Sequence, residues 1–391
     1  MSGDSCPSRV KRRDEARRRF GDLFDRLVPY LFREDPRADE VVATLADATM
    51  EERRTAISKA LRLPFEDHGG AWSALLEDAV AVPMWVDWGA IARAGQLFRR
   101  AGVVGGLVLG LRSLVYGYAS PAGNKPLALS GRLEAAGAHR LAETGKFTSA
   151  VCAPEGMRIG APGWCSTLRV RLMHAQVRRL ISMSPCYDHA AWGRPINQHD
   201  MLSTILLFST VFTEGLELMG LRVTRQDKED YVQLWRYVAH LIGVDHELIP
   251  TSEAEARRYS ELILLTQGSP DADSKNLTHA LLNGPIRAIS KRDERSLAIA
   301  RAQRDLAEGL CRGFVGDTIA DGLGLSKTLW RWTIPLLRPS IRSVEVVRQR
   351  SGLLTMAAEY LGTSYWDRAV ATGLRGGVAQ FDLPTRLLGN R

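Results

Sequence analysis

Residues 169–180 read RVRLMHAQVRRL, and their spacing decides the fold class. Val170, His174, Val177 and Ile181 recur at i, i+4, i+7 and i+11, which is the period of a helix with one buried stripe. Leu172, Met173 and Leu180 widen the apolar side. Arg169, Arg171, Arg178 and Arg179 place four cations in the same twelve residues. An imidazole set among apolar side chains brings two ring nitrogens that need partners. His174 therefore has two readings. It is either a core histidine bonded to a carbonyl or carboxylate, or a ligand to a metal or haem iron. The arginines divide the same way. They line a solvated face, or their forked guanidinium groups hold carboxylates such as haem propionates.

The helical period extends outward in both directions, and nothing in the chain alternates like a strand or repeats a βαβ rhythm. Residues 15–33 predict an amphipathic helix with Phe20, Phe24, Leu27 and Leu31 on one side, and 38–62 predict two more with a break between them. SPAGNKP at 120–126 is a loop, as is APEGMRIGAPGW at 153–164. Ser130 is placed to cap the next helix. A helix from about Asp200 to Met219 is expected to stop at Gly220. Ser252 and Glu255 form a capping-box pattern, residues 267–276 read as a polar linker, and Pro335 and Pro339 should kink the helical C-terminal region. The expected architecture is all-α. It has an N-terminal helical extension over 1–75, a single large core domain over 76–350 and a C-terminal segment over 351–391 packed on it.

Composition limits the function classes. Of 391 residues, 45% are hydrophobic and 25% charged, the balance of a water-soluble globular chain. The net charge is +8, concentrated at 10–20 and in the arginine-rich helix. The five cysteines (Cys6, Cys152, Cys165, Cys186 and Cys311) contain no CxxC pair and suggest no disulfide framework. With no export signal, they point to a reducing cytoplasm. The most apolar stretch, 101–119, is interrupted by Arg112 and rich in glycine, so it reads as a buried helix rather than a bilayer span. P-loop, dinucleotide, HExxH, ExxH and GxSxG signatures are absent. No DNA-binding helix pair is recognisable.

RVRLMHAQVR resembles the central motif of the latex-clearing-protein and mpaB-type oxygenase family. SGRL with its following RLAET, WGRPINQHDML, FSTVFTEGLELMG, YVQLWRYVAHLIGVDHELIP and TIPLLRPSIR agree in order, and the similarity covers roughly residues 80–350. The resemblance implies a globin-like helical core holding haem b, with His174 as the proximal iron ligand. It implies that Arg140 and Thr144, one turn apart, approach the haem from the preceding helix in catalytic roles. Arg171 and Arg178, together with Arg140, are the cations expected at the cofactor. The rubber-cleaving members carry a lysine just before that threonine, and here the position is Glu143. Their upstream carboxylate has no clear counterpart, since the nearby positions are Glu134 and Asn124.

Three functions follow. The first is a haem b-dependent oxygenase using dioxygen or peroxide on a small hydrophobic substrate, with an electron donor as a further partner. The second is a haem protein that senses oxygen or redox state without turnover. The third is a cofactor-free basic helical protein that binds an anionic surface.

Overall fold

The computed structural model describes residues 6–66, 69–129, 137–287, 289 and 293–374, with the backbone alone for 137–140. It is all-helical, with no strand among the described residues. The helices that frame the site run in chain order. They are α1 Pro36–Thr44, α2 Trp88–Val108, α3 Gly137–Val151, α4 Pro162–Ser182, α5 Gln198–Phe208, α6 Thr210–Met219, α7 Arg225–Leu241, α8 Glu253–Thr266, α9 Glu294–Val315, α10 Thr333–Gln349 and α11 Gly352–Leu374. The central arginine-rich stretch lies in α4, which packs against α1, α3 and α7. Helix α2 packs against α7 and α11, and α11 also covers α3.

One apolar cluster extends from Val10 to Trp366, so the first 75 residues share a core with the rest of the chain. Within it, aromatic rings form a continuous series. Trp366 stacks on Phe98 at 4.5 Å, Phe98 lies 5.9 Å from Phe212, and Phe212 stacks on Tyr231 at 5.4 Å. Tyr231 leads to Trp235 at 6.5 Å, and Trp235 stacks on Phe208 at 5.0 Å. Such pairs add attraction beyond the apolar area they bury, so the series ties α11, α2, α6, α7 and α5 into one unit.

Several local features depart from simple periodicity for identifiable reasons. The helix expected over 15–33 is broken at Gly21, whose φ of 55° starts a new helix at Asp22. Val28–Phe32, with Pro29 in its first turn, tightens to a 3-10 helix. Residues 200–219 form two helices rather than one. Ser209 has φ −100° and ψ −86°, and its hydroxyl donates back to the Ile205 carbonyl at 2.8 Å. That bond lets a serine bend a helix. Gly220, at φ 102°, stops α6 as the sequence predicts. The Ser252 hydroxyl accepts from the Glu255 N–H, while the Glu255 carboxylate reaches back to Thr251 instead of Ser252. The polar run 267–276 is only partly a linker, because Asp271 caps a helix over Ala272–Leu282. Helix α10 continues through Pro339. Ser130 lies outside the described residues.

The glycine-rich stretch is helical except at Gly102 and its last residue, Ala119. Helix α2 contains an interruption at Gly102, with φ 43° and ψ −122°, and passes into a π-helical turn at Leu109–Ser113 before a short helix at Leu114–Tyr118. Residues 88–118 and 198–219 are long and apolar enough to cross a bilayer. In this fold, 44% and 61% of their apolar windows are buried.

Candidate functional site

Helix α4 starts where only a small residue fits. Pro162 occupies its first turn, a position that suits a residue without an N–H. A Cβ on Gly163 would stand 2.6 Å from the carbonyl oxygens of both Ala150 and Gly156. The absence of that Cβ lets α4 begin directly against the end of α3. From there α4 is buried on most sides, through Leu168, Leu172, Ala175 and Ile181.

His174 sits midway along α4, half-buried, on the wall of a cavity of about 330 Å³. This volume falls in the range of small-molecule sites. Its Nδ1 is shut off from solvent and has no hydrogen-bond partner among the described residues. The ring lines the cavity, and the acceptor expected for Nδ1 of a bound ligand is absent from those residues. Burial and the charge of Arg178 outweigh the opposing pull of Asp35, and they lower the imidazole pKa to about 4. His174 is thus neutral near pH 7, with a lone pair free to bind a metal. Among the described residues no group of three or more His, Cys, Asp or Glu side chains could hold a bare ion. A metal at His174 would bring its remaining ligands with it, as a porphyrin does.

The walls come from six segments. Phe147 on α3, Met173 and Val177 on α4, Ile205 and Phe208 on α5 and Trp235 on α7 make most of the lining apolar. The π-helical turn contributes Ser113, whose buried hydroxyl has no partner among the described residues. A π turn re-aims the side chains it carries, and such turns recur at functional sites. The carboxylates of Glu143 and Asp200 also reach the lining.

Asp200 is held by a buried network. Arg9 donates two hydrogen bonds to its oxygens, at 2.6 and 2.8 Å. The Asn197 side-chain amide donates at 3.0 Å, and the His199 ring lies 3.2 Å away. Burial alone would raise this carboxyl. The Arg9 charge and the bonds from Arg9 and His199 outweigh it and hold the pKa well below the usual carboxylate range.

The arginines singled out in the sequence have partners of their own. Arg171 makes a two-pronged bond to Asp35 at 2.7 and 2.9 Å. Arg178 donates to Asp39 at 2.7 and 2.9 Å and to the Ile196 carbonyl at 2.9 Å. Both are buried, and neither lines the cavity. Their forked heads bind carboxylates, as the residue type predicts, but the carboxylates belong to α1 and its cap. On α3, Glu143 and Phe147 share the face that lines the cavity. Thr144 is half-buried one position round the helix and is not among the lining residues. The side chain of Arg140 lies outside the described residues.

A family model described as "ER-bound oxygenase mpaB/B'/Rubber oxygenase, catalytic domain" matches residues 98–344, and every residue that lines the cavity falls inside that span. The chain belongs to this oxygenase family. Over 259 residues it is 27% identical to the rubber oxygenase of Streptomyces sp. (strain K30). The aligned region takes in 64% of this chain and 60% of that protein's length. In three dimensions the chain is similar to the latex clearing protein LCP in its closed state. The TM-score is 0.63 at 22% identity, with 86% of this chain and 91% of the other covered. At that identity the likeness establishes the helical fold and nothing finer.

The helix that carries His174 was legible in the sequence, and the residue lies on the cavity wall. Sequence reasoning did not find Asp200, Ser113 or Trp235 as cavity residues. Asp200 lay within WGRPINQHDML, where Asn197 and Asp200 have the spacing of a helix cap, and Asn197 does accept from the Asp200 N–H at 2.9 Å. Nothing local signalled that Arg9 would close on it.

Proposed function

We propose that this family member is a haem b-dependent oxygenase acting on a small hydrophobic organic substrate, with His174 as the protein ligand to iron. The observation that carries the reading is the state of His174. It is a neutral imidazole on the wall of an apolar cavity, at the position where the family resemblance expects the iron ligand. Bound haem b would supply activation of dioxygen or peroxide at its iron.

The chain's own residues then have distinct tasks. His174 would hold the cofactor from α4. Phe147, Phe208, Trp235 and Met173 would exclude water and favour an apolar substrate. Glu143 lines the same space and is the group best placed there to hold or move a proton. We extend the proposal to Arg140 and Thr144, which the family resemblance brings to the cofactor from α3. Arg171 and Arg178 would act indirectly, by fixing α4 against α1 through Asp35 and Asp39. Membership of an oxygenase family favours turnover over sensing.

The visible spectrum of the purified protein tests the assignment. The expected result is a Soret band that is lost in His174→Ala while the far-ultraviolet helical signal is kept. Full haem incorporation by a folded His174→Ala variant would refute His174 as the ligand. A colourless wild-type protein that takes up no added haem would refute the cofactor.

A further inference from the structure

The surface of the C-terminal region is unlike the rest of the molecule. Among the described residues 22 large hydrophobic side chains are exposed, and 13 of them lie between 329 and 361. Leu336 is 74% exposed, Val344 67%, Leu353 77% and Tyr360 73%. Trp330 and Trp332 stand half out of the fold beside them. Scattered exposed apolar residues need no explanation, but a concentration of this kind marks a surface that something covers.

Charge indicates the partner. The segment holds two acidic residues, and both are committed inward. Glu345 is buried, accepts from Arg348 at 2.8 and 3.0 Å and also accepts the Arg222 N–H. Glu359 lies 3.4 Å from Arg99 of α2. The charges left facing outward are Arg331, Arg342 and Arg350, all exposed, with the Arg331 guanidinium lying over the Trp332 ring. Among the described residues, Ile334 and Glu345 are the side chains of α10 buried against the body. Tryptophan and arginine side by side at the edge of an aliphatic surface are what a lipid headgroup layer accommodates. The rings sit at the interface, the aliphatic chains enter the acyl boundary, and the cations meet anionic phosphates. A second copy of this chain would bring the same uncompensated arginines against one another.

We propose that the 329–361 segment seats the protein on the surface of an anionic lipid bilayer, lying in the interface without crossing it. The test is sedimentation of the full chain with phosphatidylcholine vesicles, with and without phosphatidylglycerol. Binding is expected to require the anionic lipid and to weaken as salt is raised. Leu336→Ser/Leu353→Ser and Arg331→Gln/Arg342→Gln/Arg350→Gln should each weaken it by on the order of tenfold or more, with the thermal midpoint unchanged. Acyl-brominated lipid should quench tryptophan emission in the wild type and less so in Trp330→Phe/Trp332→Phe. Failure of the folded wild type to bind anionic vesicles would overturn the proposal, as would binding that both multiple variants retain in full. A dimer that dissolves in Leu336→Ser/Leu353→Ser, without any vesicle binding, would assign the surface to a second copy instead. None of these readouts depends on haem, so they stand or fall separately from the oxygenase assignment.

Discussion

Asp200 lines the cavity and is bonded through both carboxylate oxygens to Arg9, which lies 191 residues away in the chain. The pair joins the N-terminal segment to the wall of the site, and both side chains are largely out of water. Truncating one member of such a pair leaves the other charge buried and alone, which typically costs about 3–5 kcal/mol. Arg9→Ala should therefore lower stability by that order in urea titrations. Arg9→Met with Asp200→Leu should recover much of the loss, because the double change removes both charges.

The same pair sets an acid limit. The folded-state pKa of Asp200 is depressed relative to an unfolded aspartate near 3.9. A depressed carboxyl contributes stability that is fully present above the unfolded pKa and is lost as pH falls through the folded value. The wild type should keep this contribution at neutral pH and lose it only below about pH 4. In Arg9→Ala the main cause of the depression is gone while the burial remains, so acid unfolding should begin at a higher pH. Circular dichroism across an acid titration reads the difference. Superimposable acid limbs for the two proteins would show that the pair does not govern Asp200.

Arg171 and Asp35 make a second prediction, which separates two roles for the arginines of α4. Both side chains are less than a tenth exposed, and the bond between them clamps α4 to the start of α1. Arg171→Lys keeps the charge but loses the two-pronged geometry. It should cost a few kcal/mol of stability, in line with a damaged buried pair. Haem affinity in the folded fraction should be nearly unchanged. A large affinity loss at unchanged stability would mean that Arg171 contacts the cofactor directly.

These pairs also show what periodicity carries and what it does not. The repeat of Val170, His174, Val177 and Ile181 was sufficient to make 169–180 a helix with an inward face, because burial of one stripe is written into local spacing. The end of α6 was legible for a similar reason, since Gly220 adopts a backbone conformation that other residues resist. The partners of Arg171 and Arg178 were not legible. A buried cation must meet an anion, but which one depends on where α1 crosses α4, and no local rule sets that crossing. The break at Ser209 was hidden too, because serine bends a helix through a single back-bond that competes with continuation. The same limit applies to Ser113, whose position on the cavity wall follows from a π turn that leaves no mark in the apolar pattern.

Gly163 tests how closely the cavity-facing helices are spaced. Its missing Cβ admits the carbonyl oxygens of Ala150 and Gly156, which are backbone atoms and cannot swing aside. Gly163→Ala should force α3 and α4 apart and destabilise the fold by roughly 1–3 kcal/mol, the usual cost of overpacking. Because Glu143 and Phe147 lie on α3 and His174 on α4, the variant should also broaden or shift the Soret band of the loaded protein. A stable Gly163→Ala variant with an unaltered spectrum would show that this contact does not set the spacing.

Glu143 offers the most direct probe of chemistry in the cavity. It occupies the lining one turn before Phe147, on the helix that faces His174. Glu143→Gln keeps the shape and removes the ionisable proton. If the carboxylate moves a proton during turnover, oxygen consumption with a converted substrate should fall by about two orders of magnitude, within the range for a positioned acid or base. Haem binding and thermal midpoint should stay close to wild type, because the substituted amide is nearly isosteric. Unchanged turnover in Glu143→Gln would show that this carboxylate moves no proton in the reaction.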